Sequence, residues 1–308
     1  MKKVIVICGA TATGKSEYAF QFAKKLNTEI ISFDGVQVYK KLNIGTAKPS
    51  AAQLESVKHH LIDEIEPDKT FTAGDFRKTA FKILEQIFKK NATAILVGGT
   101  GFYLRSLLSG MYESVVVSSE IKERLNIEAH KLGYEKLFEE LSIHDPEYAG
   151  QIHKNDKYRI MRGLELVRSG VKPSSLREQF SKASFPYELI QIGLRRKKDT
   201  LKDAIELRTQ KMINSGLIEE TESLIKSYPD GLRPLMSVGY KETGNYIGGL
   251  ISKTQLHDEI VRNTMALAKR QSTWFKRDKS IQWFDPDLQG AEIEEFLNQC
   301  SHFSPLLN

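Results

Sequence analysis

Cysteine is scarce in this chain, with only Cys8 and Cys300 among 308 residues. Two thiols so far apart make neither a disulfide framework nor a zinc-ligand spacing, and the expected setting is a reduced cytoplasm. Long apolar runs are missing too. The run Val4-Ile5-Val6-Ile7-Cys8 stops at Gly9 and Lys15 follows, which is too short for a signal-peptide core or a membrane span. Neither an internal repeat nor a low-complexity tract interrupts the sequence. What is left is a soluble globular chain of ordinary balance, 40% hydrophobic and 27% charged. Its length suits one large or two modest domains.

Positive charge is in modest excess, and it is focal. The formal charge is +6, with a pI of about 9.0. Residues 119–148 hold eight acidic and four basic side chains, whereas residues 154–198 hold twelve Lys or Arg against four acids. A concentrated basic stretch fits a polyanionic partner better than general solubility does.

Short apolar runs at 3–8, 29–33 and 94–97 alternate with helical periodicity at 15–26 and 73–90. That alternation predicts an α/β fold, a parallel sheet with helices on both faces. From 115 to 185 the pattern is helical without a clear strand. A further strand is expected at 188–194, then long helices at 200–226 and 253–276. The expected organisation is a core over 1–114, an inserted helical domain over 115–185, and a return to the core over 186–308.

The first strand runs straight into "GATATGKS", residues 9–16. Gly9 and Gly14 permit the tight backbone that turns successive N–H groups of Ala10, Thr11, Ala12 and Thr13 toward phosphate oxygens. The following helix adds the positive end of its dipole, Lys15 a point charge, and Ser16 a hydroxyl for Mg²⁺. A strand before and a helix after are the context this P-loop requires, so the site is expected to hold a di- or triphosphate. Nucleotide kinases place a second acid at the end of a core strand. The strand at 94–97 instead runs into "VGGTGFY", and the acid at a predicted strand end is Asp34, in "IISFDGVQVY". There it could order a magnesium-bound water or take a proton from a nucleophile. His59 and His60 lack partners at ligand spacing and read as packing or capping residues. Lys89-Lys90 and Arg195–Lys198 read as solvated surface.

Two basic stretches carry an aromatic. In "KYRIMRGLE" Arg159 and Arg162 are three apart on a predicted helix, with Tyr158 available for stacking; Ile160 and Met161 lie between them. In "AKRQSTWFKR" Arg270, Trp274 and Arg277 fall on one stripe, Lys269 and Lys276 on an adjoining one. A cationic stripe bearing an aromatic is how a helix grips phosphates and stacks on bases.

Together with the P-loop, "ISFDGVQVYKKLNIGTAKP" (31–49), "HHLID" (59–63), "FTAGDFR" (71–77), "LVGGTGFYLRSLL" (96–108), "NDKYRIMRGLE" (155–165), "VGYKE" (238–242) and "AKRQSTWFKR" (268–277) stand in a distinctive order. In this set, which extends from about residue 3 to 285, the chain resembles the tRNA dimethylallyltransferases, also called tRNA isopentenyltransferases. The resemblance implies transfer of a dimethylallyl group from dimethylallyl diphosphate to N6 of the adenosine 3′ of the anticodon, with Mg²⁺ and with pyrophosphate as leaving group. It implies that Asp34 takes the N6 proton, that Thr100 lies beside the reacting centre and that Arg208 lies near the diphosphate. The tRNA contacts it implies include Asp34, Gly35, Val36, Gln37, Tyr240, Lys241 and Gln271, beside the two basic stretches. Gly35 and Tyr158 stand where the family commonly has Ser and Gln, and Ala10 where it has Pro. A monomer acting on the tRNA anticodon stem-loop, away from any membrane, is expected. The rival readings are a small-molecule kinase and a non-catalytic RNA-binding protein.

Overall fold

The computed structural model describes residues 2–110, 115, 117–178, 185–228 and 231–302. In chain order its elements are β1 (Lys3–Gly9), α1 (Lys15–Lys25), β2 (Ile30–Ser32), α2 (Ala51–Ser56), β3 (His59–His60), α3 (Ala73–Ile87), β4 (Thr93–Gly98) and α4 (Gly101–Ser109). There follow α5 (Ser119–His144), α6 (Pro146–Ala149), α7 (Lys157–Arg168), α8 (Pro173–Glu178), β5 (Glu188–Leu194), α9 (Lys198–Asn214), α10 (Leu217–Ser227) and a 3₁₀ turn at Arg233–Met236. The chain continues through α11 (Tyr240–Ile247), α12 (Lys253–Phe275), β6 (Gln282–Phe284) and α13 (Gly290–His302).

Two compact units result, one of residues 1–107 and 186–308, the other of residues 108–185. The first is the α/β core. Its sheet has the order β3-β2-β4-β1-β5-β6, and every pairing is parallel. Every residue of β1 is buried. Since side chains alternate across a strand, both faces of the sheet are covered. Ile5 and Ile7 point into a cluster with Ala19 and Phe22 of α1 and with Ile293 and Leu297 of α13. Val4 and Val6, equally buried, point the other way. The chain leaves β1 in one direction for β2 and β3, and β5 then adds on its other flank. The carboxyl end of β1 is therefore a switch point, where open α/β sheets form their ligand crevice.

Helix ends follow local chemistry. Thr72 caps α3 in a reciprocal box with Asp75, and Ser252 caps α12 the same way with Gln255. The single helix expected at 200–226 is two helices, because Gly216, with φ 101°, breaks it into α9 and α10. β3 and β6, only two and three residues long, extend the sheet at its edges.

The second unit is helical. Leu125, Leu137, Leu141, Ile160 and Leu164 form its core. Arg168 fastens α7 to both halves of α5, bonding Glu128 at 2.5 Å and Glu140 at 3.0 Å. α5 is bent at Gly133, where φ is 80°. Among the described residues, no helix is long and apolar enough to cross a membrane.

Candidate active site

β1 delivers the chain into the P-loop at the switch point. Gly14 adopts φ 84°, a left-handed conformation that favours glycine, and so lets the chain turn directly into α1. Within the loop, Thr13 Oγ1 donates to the Ala10 carbonyl at 2.8 Å, and Lys15 Nζ donates to the same oxygen at 3.0 Å. Three side chains from the part of the core that follows residue 186 hold the loop. Arg208 Nη1 of α9 donates to Thr11 Oγ1 at 2.8 Å, and Arg196 Nη1 to the Ala12 carbonyl at 3.1 Å. Gln271 of α12 accepts from Thr11 N at 2.9 Å and donates to the Gly99 carbonyl at 3.2 Å. It thereby ties the P-loop to the turn that follows β4.

Asp34 sits two residues past β2. Its Oδ1 accepts from Val36 N at 2.9 Å and from Gln37 N at 3.2 Å, an arrangement that pins the carboxylate to its own turn. Oδ2 has no hydrogen-bond partner among the described residues. Thr100, at the start of α4, takes the neighbouring turn in hand, its Oγ1 accepting from Gly35 N at 3.0 Å.

Asp34, Arg208, Gln271 and the P-loop residues Thr11, Lys15 and Ser16 share one cavity of about 140 Å³, which Thr100 and Arg196 do not line. Thr11, Lys15, Ser16, Asp34 and Arg208 supply its polar lining, and Val97, Ile205, Met212, Ile260 and Leu267 an apolar one. The electrostatics favour an anion. Burial, reinforced by the nearby Arg208 charge, lowers the Lys15 pKa to about 8, against the opposing pull of Asp34. Burial likewise pushes Arg208 below its ordinary range, with Asp34 again opposing. Two cations crowd one carboxylate here, so an incoming polyanion would relieve the strain on both.

A phosphate-binding loop, a carboxylate and an apolar wall in one cavity meet a decisive comparison: the family model described as "IPP transferase" matches residues 37–278. The chain belongs to the IPP transferase family. It is 42% identical to the tRNA dimethylallyltransferase of Bdellovibrio bacteriovorus, covering 96% of this chain and 98% of that one. The solved full-length tRNA isopentenylpyrophosphate transferase of Bacillus halodurans matches at TM-score 0.72 and 32% identity, over 98% of this chain and 96% of that one. A eukaryotic dimethylallyltransferase solved while acting on tRNA shares the fold at TM-score 0.79 and 24% identity, over 100% of this chain and 81% of that one.

Within this member of the IPP transferase family, several expected RNA contacts have other employment. Tyr240 is 1% exposed, its hydroxyl bonded to Glu220 at 2.5 Å, so it cannot reach a tRNA from this position. Ile160 is fully buried in the helical core, and Met161 packs against that core. Gln271 faces the P-loop. Trp274 packs edge-on to Phe102, with ring centroids 6.3 Å apart, and lies so close over Gly101 that a Cβ there would meet its Cδ1 at 2.0 Å. The indole is thus spent on the protein. α12 ends at Phe275, so Lys276 caps the helix, Arg277 lies beyond it, and the stripe expected to hold Arg270, Trp274 and Arg277 is broken.

Other basic groups remain available. Lys241, Lys269, Arg270, Lys276 and Arg277 are exposed. On α7, Tyr158 is 69% exposed. Arg159 there pairs with Asp156 at 3.4 Å and is half exposed, whereas Arg162 is committed to Glu165 at 2.8 Å and to the Val115 carbonyl at 3.3 Å. Arg196 departs from the solvated reading of its run through its bond to Ala12 and its pairing with Asp287 at 3.0 Å. His60 holds Glu29 at 2.6 Å, and among the described residues no group of three His, Cys, Asp or Glu converges as a metal site.

Sequence reasoning missed two acids. Glu220 accepts from three successive backbone N–H groups, of Asn43, Ile44 and Gly45. Glu242, 2% exposed, joins Gly239 N at 2.7 Å to Asn263 Nδ2 at 2.6 Å. The "VGYKE" motif signalled the second; nothing local marked Glu220 within a run of helix-forming residues.

Proposed function

We propose that this chain transfers a dimethylallyl group from dimethylallyl diphosphate to N6 of the adenosine 3′ of the tRNA anticodon, releasing pyrophosphate. The observation that carries the reading is the cavity itself. Cationic and hydroxyl groups for a diphosphate, an apolar wall for a short prenyl chain, and one carboxylate with an unengaged oxygen line the same space. The allylic C–O bond breaks as the N6–C bond forms. Positive charge grows on the allylic carbon and negative charge on the departing diphosphate, where Lys15, Arg208 and the loop stabilise it. Asp34 Oδ2 takes the proton that N6 gives up. Thr100 fixes the Asp34 turn through Gly35 N.

Ser16, which lines the cavity beside Lys15, is the residue that would hold a magnesium ion accompanying the diphosphate. Such an ion supplies further neutralisation of the leaving group. Exposed Lys269, Arg270, Lys276, Arg277 and Lys241 supply phosphate contacts for the tRNA, with Tyr158 and Arg159 of the helical unit adding to them. The protein works as a cytoplasmic monomer on this reading. A kinase reading is disfavoured by β4, which ends in Gly98 with no carboxylate.

Incubation with labelled dimethylallyl diphosphate and unmodified tRNA tests the proposal directly: label enters the RNA at adenosine N6. Asp34→Asn keeps the side-chain shape and the turn but not the basicity. It is expected to bind both substrates and to lower the single-turnover rate by about 10²-fold or more. Transfer at the wild-type rate by this variant would overturn the assignment of the base.

A further inference from the structure

Loop 43–47 forms part of the cavity wall through Gly45, Thr46 and Ala47. It is a tight turn, with Ala47 N bonded to the Ile44 carbonyl and Lys48 N to the Asn43 carbonyl, and Ala47 has φ 49°. Two anchors hold it from opposite sides. From outside, the Glu220 carboxylate of α10 accepts from Asn43 N at 3.0 Å, Ile44 N at 3.0 Å and Gly45 N at 3.2 Å. The Tyr240 hydroxyl closes on the same carboxylate at 2.5 Å, and its ring lies so near Gly45 that a Cβ there would come within 2.5 Å of it. From inside, Gln37 Nε2 donates to the Thr46 and Ala47 carbonyls at 3.1 and 3.3 Å. The backbone N–H of the same Gln37 donates to Asp34 Oδ1 at 3.2 Å.

A continuous series of polar contacts therefore runs from Tyr240 and Glu220, through loop 43–47 and Gln37, to the carboxylate of Asp34. A charge-assisted set of backbone donors on one carboxylate is stiff as well as strong, and no neutral acceptor of the same size replaces it. Burial and the adjacent Glu220 hold the Tyr240 phenol well above its ordinary pKa, so it remains a donor at any working pH. We propose that Glu220 and Tyr240 are positioning residues for the transfer step, setting the place of Asp34 through loop 43–47 and Gln37. The inference rests on the reading of Asp34 as the base. It assigns a reason to the tyrosine of "VGYKE" that an RNA contact does not give.

The test compares Glu220→Gln and Tyr240→Phe with the wild type, each alone and in the Asp34→Asn background. Dimethylallyl diphosphate and an anticodon stem-loop RNA serve as substrates. Misplacement of a catalytic group by a fraction of an ångström is expected to cost about tenfold or more in the single-turnover rate. The dissociation constants for both substrates should stay within about twofold, because neither variant removes a binding group in this account. In the Asp34→Asn background each variant should cost almost nothing further, since a group with no base to place has no lever on the rate. Melting temperatures identify any variant that fails to fold, and Tyr240→Phe, which keeps the ring packed on Gly45, carries the test if Glu220→Gln does not. Wild-type rates in both variants, or losses that persist undiminished without the Asp34 carboxylate, would overturn the proposal. So would a loss confined to RNA affinity. Failure of the wild type itself to transfer label overturns the functional reading along with it, so the two failures are distinguishable.

Discussion

Arg208 and Thr11 lie 197 positions apart in the chain, yet the guanidinium Nη1 donates to the threonine Oγ1 at 2.8 Å. The contact presses a second cation against the P-loop, beside Lys15. Burial lowers the pKa of that lysine to about 8, and the adjacent Arg208 charge adds to the effect.

Donor affinity should accordingly depend on pH. A lysine whose folded pKa is depressed to about 8 is charged below that pH and loses its proton as the pH rises through it. Affinity for pyrophosphate, measured calorimetrically, is expected to be highest below pH 8 and to weaken above it, beyond whatever titration of the ligand contributes. In Lys15→Ala the affinity should be low throughout and the extra pH dependence gone, with transfer slowed by about 10²–10³-fold. Parallel pH profiles for the two proteins would remove Lys15 from the phosphate site.

Gln271→Ala separates loop bracing from RNA contact. The substitution leaves Thr11 N and the Gly99 carbonyl without their side-chain partner. An unsatisfied, part-buried polar group costs roughly 1–3 kcal/mol of stability, and the loop that loses this brace is expected to bind pyrophosphate more weakly. The RNA dissociation constant and its salt dependence are expected to hold. A changed RNA affinity with an intact donor site would return Gln271 to the RNA-binding surface.

The exposed cations at the end of α12 are assigned to RNA phosphates, and that assignment has a salt signature. Binding of tRNA should weaken linearly with log salt concentration, with a slope of roughly −0.7 for each single-stranded phosphate neutralised. Replacing Arg270 and Lys276 together should flatten that slope by up to two such increments and raise the KM for tRNA, leaving pyrophosphate affinity as it was. A slope that does not move would make this surface a merely solvated one.

The sheet was legible because buried parallel strands must read as unbroken apolar runs, as Val4–Cys8 and Ala94–Val97 do. The P-loop was legible because its glycines, lysine and serine are adjacent in sequence. Edge strands two or three residues long, such as His59–His60 and Gln282–Phe284, carry too few residues to show a period. The break at Gly216 was hidden inside an otherwise helical pattern. Individual roles at the site were least legible. Two motifs mark Tyr240, Gln271 and Trp274, but whether each side chain faces the cavity, the core or solvent depends on partners far away, Glu220, Thr11 and Gly101 among them. Composition located the basic stretches, and only the fold could reveal that Arg162 and Arg196 are already paired.

The place of β1 between β4 and β5 has a bearing on how the chain is made. During synthesis β1 and the P-loop leave the ribosome well before the strand that covers the second flank of β1, which begins only at Glu188. Until then a strand that is wholly buried in the finished protein presents an unpaired edge, the kind of surface on which nascent chains join one another. Arg196, Arg208 and Gln271 emerge later still. A chain cut short in its middle third would therefore carry an intact phosphate-loop sequence with none of these three side chains to brace it, and it would be a substrate for chaperones and proteases before it could be an enzyme.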